Sequence, residues 1–307
     1  MTHRVDALSM SWRVGRAVRQ EGWSGEILAV HPHSCYLMDE DGTISAVVEE
    51  ELGNGPLNLV IPSSPSRPFQ YLSVGETVKS TGEILMLSDS LDVGRAKAHL
   101  WDPRPFPTIG ADTDRLRHAL AALFETAATH SPEGSLARLL PYLQADDLPT
   151  PLQKVAHFPR SHALMAGLAE SLAHHNRRGL KVVTSSMAGL GPGLTPACDD
   201  FLAGVLLALS LTQGVRDDLE LADIATMLLE TAAPRTGEIS AAYLRAAHAG
   251  ETSERWHGLL GALAGEHSGT LEEPAQAVMQ IGETSGADML AGFLVAMQTL
   301  HGSSAAG

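Results

Sequence analysis

The sequence predicts an α+β protein: an N-terminal small β barrel or sandwich over residues 1–102, then a larger all-helical domain over 108–307 with two buried central helices. Three observations carry this. The first hundred residues hold short β-prone runs at close spacing. Residues 102–107 (Asp-Pro-Arg-Pro-Phe-Pro) alternate three prolines with other residues, which excludes both helix and central strand. Beyond them nearly every segment reads as helix. Two of the runs, 201–211 and 289–297, are apolar all round rather than on one stripe, as buried helices are.

Taken in order, residues 9–19 read as a leading helix. Segments 25–30, 34–38 and 43–48 read as strands, with Asp41-Gly42 marking a hairpin turn between the last two. Segments 57–61, 76–78 and 83–87 continue the pattern, with 96–101 a further candidate, and the proline-rich stretch 62–68 is a loop. Helices are expected at 111–129, 134–143, 151–177, 196–213, 217–232, 238–249, 253–265, 271–281 and 285–300. Pro159 should break or kink the third of them. Residues 180–184 are β-branched and read as a short strand or an extended connector.

Composition narrows the function classes. With 307 residues and 44% apolar content there is ample material for a core, and two domains are the better expectation. A net charge of −15 argues against a nucleic-acid or anionic-membrane surface, which needs clustered Lys and Arg. Cys35 and Cys198 lie far apart, which suggests a reduced compartment without a disulfide framework. The N-terminus lacks the apolar core of a secretory signal, and the apolar runs are shorter than the roughly 20 residues a bilayer requires. A soluble, cytoplasmic protein is expected.

The most informative stretch is 189–200, Gly-Leu-Gly-Pro-Gly-Leu-Thr-Pro-Ala-Cys-Asp-Asp. Thr195 suits an N-cap and Pro196 the first helical position. A bare glycine backbone approaching a buried helix start is a natural anion site, so Gly189, Gly191, Gly193, Leu194 and Thr195 are candidate anion-binding residues. The alternative is tight packing of the loop on the core. The stretch is neither a Walker A motif nor G-x-G-x-x-G. Residues 282–292 repeat the device. Thr284 precedes Asp288 by four residues, as Thr195 precedes Asp199, and Asp288-Met-Leu-Ala-Gly292 parallels Asp200-Phe-Leu-Ala-Gly204. Two ordinary helix starts with dipole-complementing aspartates would look the same. If the echo is structural, the two helices should pack at Gly204 and Gly292. Their N-termini should then open together, so that Thr284, Ser285 and Gly286 join the anion site.

Asp199, Asp200 and Asp288 are the candidate catalytic residues, reading either as dipole complements or as partners for a cation or a substrate N–H. Three such carboxylates could also hold Mg²⁺ through water and phosphate oxygens, although no dedicated metal site is expected. Arg235 offers a fork for carboxylate or phosphate, with a solvent-exposed loop arginine as the alternative, and Thr236 suits the cap of the helix that follows. Cys198 lacks a histidine partner in the sequence and reads as a small core residue rather than a nucleophile.

The pattern Gly-Leu-Gly-Pro-Gly-Leu-Thr-Pro-x-x-Asp-Asp-Phe-Leu-Ala-Gly at 189–204 resembles the hallmark of the family of the AllH subunit of bacterial oxamate carbamoyltransferase. The resemblance extends to Ile239-Ser240-Ala241, Tyr243-Leu244 and 282–292, and so covers about 185–300. The β part matches only in length and general character. The sequence departs from the family's usual Thr-Pro-Ser-Gly-Asp-Asp, since Ala197-Cys198 replace Ser-Gly and remove a hydroxyl. The resemblance implies a part in moving a carbamoyl group between phosphate and oxamate, with carbamoyl phosphate as a substrate and other protein subunits as partners. A non-catalytic scaffold or docking subunit is the opposite expectation.

Overall fold

The computed structural model describes residues 3–18, 22–64, 67–89, 91–104, 113–216, 219–266 and 270–302. The chain divides into two compact units, Met1–Arg104 with Thr252–Glu254, and Pro105–Glu251 with Arg255–Gly307.

The first unit is a curled ten-stranded sheet, a half-barrel rather than two packed sheets. Its strands are β1 (His3–Asp6), β2 (Ser9–Ser11), β3 (Ser24–His31), β4 (Ser34–Asp39), β5 (Ile44–Glu49), β6 (Asn58–Ile61), β7 (Thr77–Thr81), β8 (Ile84–Ser88), β9 (Leu91–Gly94) and β10 (His99–Trp101), with the short helix α1 (Trp12–Val18) after β2. Their order is β1-β9-β8-β7-β3-β4-β5-β6-β2-β10. The predicted hairpin joins β4 to β5: Gly42 takes φ +76°, and Asp39 Oδ1 accepts from the N–H groups of Asp41 at 3.1 Å and Thr43 at 2.7 Å. The leading helix expected at 9–19 is corrected, because its first three residues are strand β2. They run antiparallel to β6 and parallel to β10, so pairing with distant segments overrides the local helical pattern. Strands β1 and β9 escaped the sequence reading for the same reason, since each is the other's parallel partner across the chain. One face packs a core around Met10, Ile27, Leu37, Val47, Phe69 and Leu85.

The second unit is helical: α2 (Thr113–His130), α3 (Thr150–Gln153), α4 (Phe158–Ala173), α5 (Arg177–Met187), α6 (Ala197–Arg216), α7 (Leu219–Ala232), α8 (Glu238–His248), α9 (Glu254–Ala264), α10 (Glu272–Met279) and α11 (Ser285–Gly302). Parts of the proline boundary (105–107) and of the helices expected at 111–129 and 217–232 lie outside the described residues. The segment expected as helix at 134–143 is a 3-10 turn, Leu136–Tyr142, with Pro141 inside it. Proline removes the donor an α-helix needs there. Pro159 does break the third predicted helix, by sitting in the first turn of α4.

Residues 180–184 are helical, not extended. Asn176 caps the helix by accepting from Gly179 N at 3.0 Å, and Leu180, Thr184 and Met187 are buried on one face of α5. Cap and burial outweigh the modest helix penalty of the β-branched residues.

Helices α6 and α11 form the centre of this unit. Phe201, Val205, Leu207, Ala208, Leu209, Leu290, Phe293, Leu294 and Ala296 are all fully buried, and Trp256 packs edge-on to Phe293 with ring centroids 5.3 Å apart. A Cβ on Gly204 would lie 1.9 Å from the Met289 carbonyl oxygen, and one on Gly292 would lie 1.8 Å from that of Phe201. Each glycine therefore faces the carbonyl three residues before the other. The predicted echo is a near-symmetric backbone contact that no side chain could occupy.

Candidate functional site

The crossing at Gly204 and Gly292 places the two helix starts side by side. Thr195 Oγ1 lies 3.2 Å from Ser285 Oγ and donates to Asp200 Oδ2 at 3.0 Å. The expected N-cap role of Thr195 is thereby corrected. Helix α6 begins at Ala197, the N–H groups of Asp199 and Asp200 reach the Pro196 carbonyl at 2.8 and 3.2 Å, and the Thr195 hydroxyl serves a carboxyl instead. Thr236 likewise does not cap α8, whose cap residue is Gly237; its hydroxyl donates to Asp199 Oδ2.

The glycines divide by role. Gly191 at φ +120° has space for no side chain, because a Cβ would meet Ala197 N at 2.7 Å; it packs the loop under the start of α6. Gly286 is similarly close to Val278 O, where a Cβ would lie at 1.9 Å, so it seats α11 on α10. Gly189 and Gly193, at φ +76° and +100°, are exposed, as is Leu194 at 43%. Among the described residues, the N–H groups of Gly193, Leu194 and Thr195 reach no backbone acceptor. Thr284 and Ser285 are half-buried at the second helix start.

The three aspartates are buried, at 1%, 9% and 0% for Asp199, Asp200 and Asp288. Asp199 Oδ1 accepts from Gly189 N at 2.9 Å and so ties the glycine loop to the α6 helix. Asp288 Oδ1 accepts from Leu136 N at 2.5 Å, at the head of the 3-10 turn, while its Oδ2 is buried without a hydrogen-bond partner. Burial raises the Asp199 pKa, against the pull of the Thr236 hydroxyl and the Gly189 N–H. Asp200 is pushed well above the ordinary carboxylate range by burial. The Ser285 and Thr195 hydroxyls oppose that rise, and the neighbouring Asp288 adds to it. Burial lifts Asp288 to about 7, against the Leu136 N–H and the nearby Thr284 hydroxyl. With no Lys or Arg paired to them among the described residues, these groups are held by hydrogen bonds and by the positive ends of two helices. Their oxygens are drawn onto separate partners and do not converge as a metal-ligand set among the described residues.

Arg235 is exposed and donates to Thr231 O at 2.6 Å; its backbone carbonyl, not its guanidinium, lies against Gly189. Cys198 is buried 3.4 Å from Ser161 Oγ, and burial pushes its thiol up to about 12, as a core residue rather than a nucleophile. Leu136 and Ser161 were not singled out from the sequence. They lie 152 and 37 residues from their partners, and no local signal marks them.

Fold and site together define a class: a two-unit α+β protein whose glycine and aspartate motifs build one junction of two helix starts. The chain belongs to the AllH family. The family described as "Oxamate carbamoyltransferase subunit AllH" matches residues 187–297, and the "AllH family N-terminal domain" matches residues 6–100. The second match extends the relationship to the β unit, which the sequence motifs did not reach. Nothing among curated proteins or solved structures matches the chain. No helix among the described residues is long and apolar enough to cross a membrane.

Proposed function

We propose that this chain is a subunit of an oxamate carbamoyltransferase, acting with other subunits, and that it binds phosphate or carbamoyl phosphate at the junction of α6 and α11. The family name supports the first part. The observation that carries the second is the 3.2 Å approach of Thr195 Oγ1 to Ser285 Oγ, which aims two helix starts at one place. Unpaired N–H groups at Gly193, Leu194 and Thr195 supply donors for phosphate oxygens, and two helix dipoles favour negative charge there. Burial raises the pKa of both Asp200 and Asp288, the latter to about 7, which lessens the repulsion two carboxylates would exert on an anion. Asp200, held between Thr195 and Ser285, is the member placed to meet a carbamoyl or oxamate N–H; Asp199 and Asp288 hold the loops that shape the site. Arg235 lies outside this arrangement unless the 233–236 turn moves.

The test is calorimetric titration of the chain with phosphate and with carbamoyl phosphate, repeated for Thr195→Val and Ser285→Ala, alongside phosphate-dependent cleavage of oxalurate by the reconstituted subunits. Ligand binding that weakens at least tenfold in both variants supports the site. Unchanged binding in folded variants removes it. A second reading, a scaffold whose junction only holds the fold, is favoured by the protein partners of Asp199 and Asp288. It predicts that the same variants lose stability but neither binding nor assembled activity.

A further inference from the structure

A second cluster belongs to the β unit. His33 stands on the two-residue turn between β3 and β4, Glu49 ends β5, and Glu51 sits in the 3-10 turn Glu50–Leu52 that follows. His33 Nδ1 is 2.7 Å from Glu49 Oε2 and 2.7 Å from Glu51 Oε1. The backbone sets the first two residues rigidly, since Glu49 N donates to the His33 carbonyl at 2.9 Å beside the Ser34–Val48 strand pair. Ser64 N donates to Glu49 Oε1 at 3.3 Å, which orients the carboxylate with its other oxygen towards His33.

We propose that His33, Glu49 and Glu51 bind a divalent transition-metal ion, with Zn²⁺ the best match. The Glu49 side chain is 4% exposed, so its carboxyl has little water to turn to and a cation beside it is favourable. Nδ1 carries at most one hydrogen, which can point at only one of two oxygens that are equally near. A metal serves all three groups at once: neutral imidazole gives its Nδ1 lone pair, and two carboxylates balance the 2+ charge. One nitrogen and two oxygens suit Zn²⁺ better than Mg²⁺, which prefers oxygen and water. Ligands at about 2.0–2.2 Å from Zn²⁺ lie roughly 3.3 Å from each other in a tetrahedron. Nδ1 and the carboxylate oxygens therefore need to part by only about half an ångström. His33 and Glu51, 47% and 51% exposed, stand at the surface, and a shift of that size there leaves Glu49 in place. The Ser64 N–H acts as the outer-shell contact that holds a metal-binding carboxylate in place. Three protein ligands leave the fourth position to water.

The experiment uses the full chain, stripped with a chelator and dialysed, then titrated with ZnCl₂ by calorimetry and analysed for bound metal. The chain has fourteen histidines, so the comparison is with His33→Asn and Glu51→Gln, both at half-exposed positions and checked for folding by circular dichroism. The wild type should bind one more equivalent of Zn²⁺ than either variant, and Zn²⁺ should raise its melting temperature but not theirs. Mg²⁺ at the same concentration should do neither. Equal stoichiometry and equal thermal response in wild type and both folded variants would overturn the proposal and leave the cluster an ion pair. Because the probe is the metal alone, this outcome is independent of phosphate binding at the helix junction.

Discussion

Substituting alanine for Gly204 or Gly292 tests the helix crossing on which the candidate site depends. A Cβ at Gly292 would lie 1.8 Å from Phe201 O, and one at Gly204 would lie 1.9 Å from Met289 O, where ordinary contact begins near 3.4 Å. The obstacle is helix backbone in the core, so it cannot rotate away as a side chain would. The helices must separate by more than an ångström, which loosens the packing of Phe201, Leu290 and Phe293 around them. Overpacking of a core typically costs about 1–3 kcal/mol, and a backbone obstacle belongs at the top of that range. Replacing a mid-helix glycine returns about 1 kcal/mol of propensity, so the net loss should be about 2 kcal/mol. At roughly 2–4 °C per kcal/mol for a unit of this size, the melting temperature falls by about 4–8 °C. Gly258, mid-helix in α9 with nothing within 4 Å of its would-be Cβ, is the control. Gly258→Ala should stabilise by up to about 1 kcal/mol. Urea melts followed by circular dichroism, fitted with separate transitions for the two units, give the comparison. The double variant Gly204→Ala/Gly292→Ala should lose less than the sum of the single losses, because one separation admits both methyl groups. If Gly204→Ala or Gly292→Ala matches Gly258→Ala in sign, the close crossing is wrong.

The buried carboxyls carry a pH signature. Asp288 has its folded pKa raised from 3.8 to about 7, so its favourable contribution is complete below pH 4 and lost as pH rises through 7. Stability of the helical unit should fall between pH 4.5 and 8 by an amount on the order of 3 kcal/mol, and Asp288→Asn should flatten that slope; equal slopes in urea melts of the two proteins would contradict the assignment. Burial pushes the thiols of both Cys35 and Cys198 up to about 12, so neither should react with a thiol reagent at pH 8 in the native state. Both should react in guanidinium, and one fast equivalent in the folded protein would show an open site. Thr236→Val removes a partner of Asp199 and should loosen the glycine loop, costing about 1–3 kcal/mol. Hydrogen exchange at Gly189 and Leu190 should quicken; unchanged exchange there would mean that Asp199 does not hold the loop.

Much of the helical unit was legible because its signals are local. The apolar runs of α6 and α11, the prolines at 159 and 196, and the repeated Asp-x-x-x-Gly spacing each act within a few residues, and periodicity reports them directly. That spacing even carried the helix contact, since glycines at equal depth in two buried helices have few other uses. The β unit was legible as a class but not as a topology. Strands β1, β2 and β9 owe their existence to parallel partners far along the chain, and strand pairing between distant segments leaves no local mark. The candidate site shows the same division. Sequence alone identified Asp199, Asp200 and Asp288 as unusual acids at helix starts. Only the tertiary structure decided that Asp199 turns to Gly189 and Thr236, Asp200 to Thr195, and Asp288 to Leu136. A carboxyl's role is set by which donors burial brings within about 3 Å, and those donors come from loops that no sequence spacing connects.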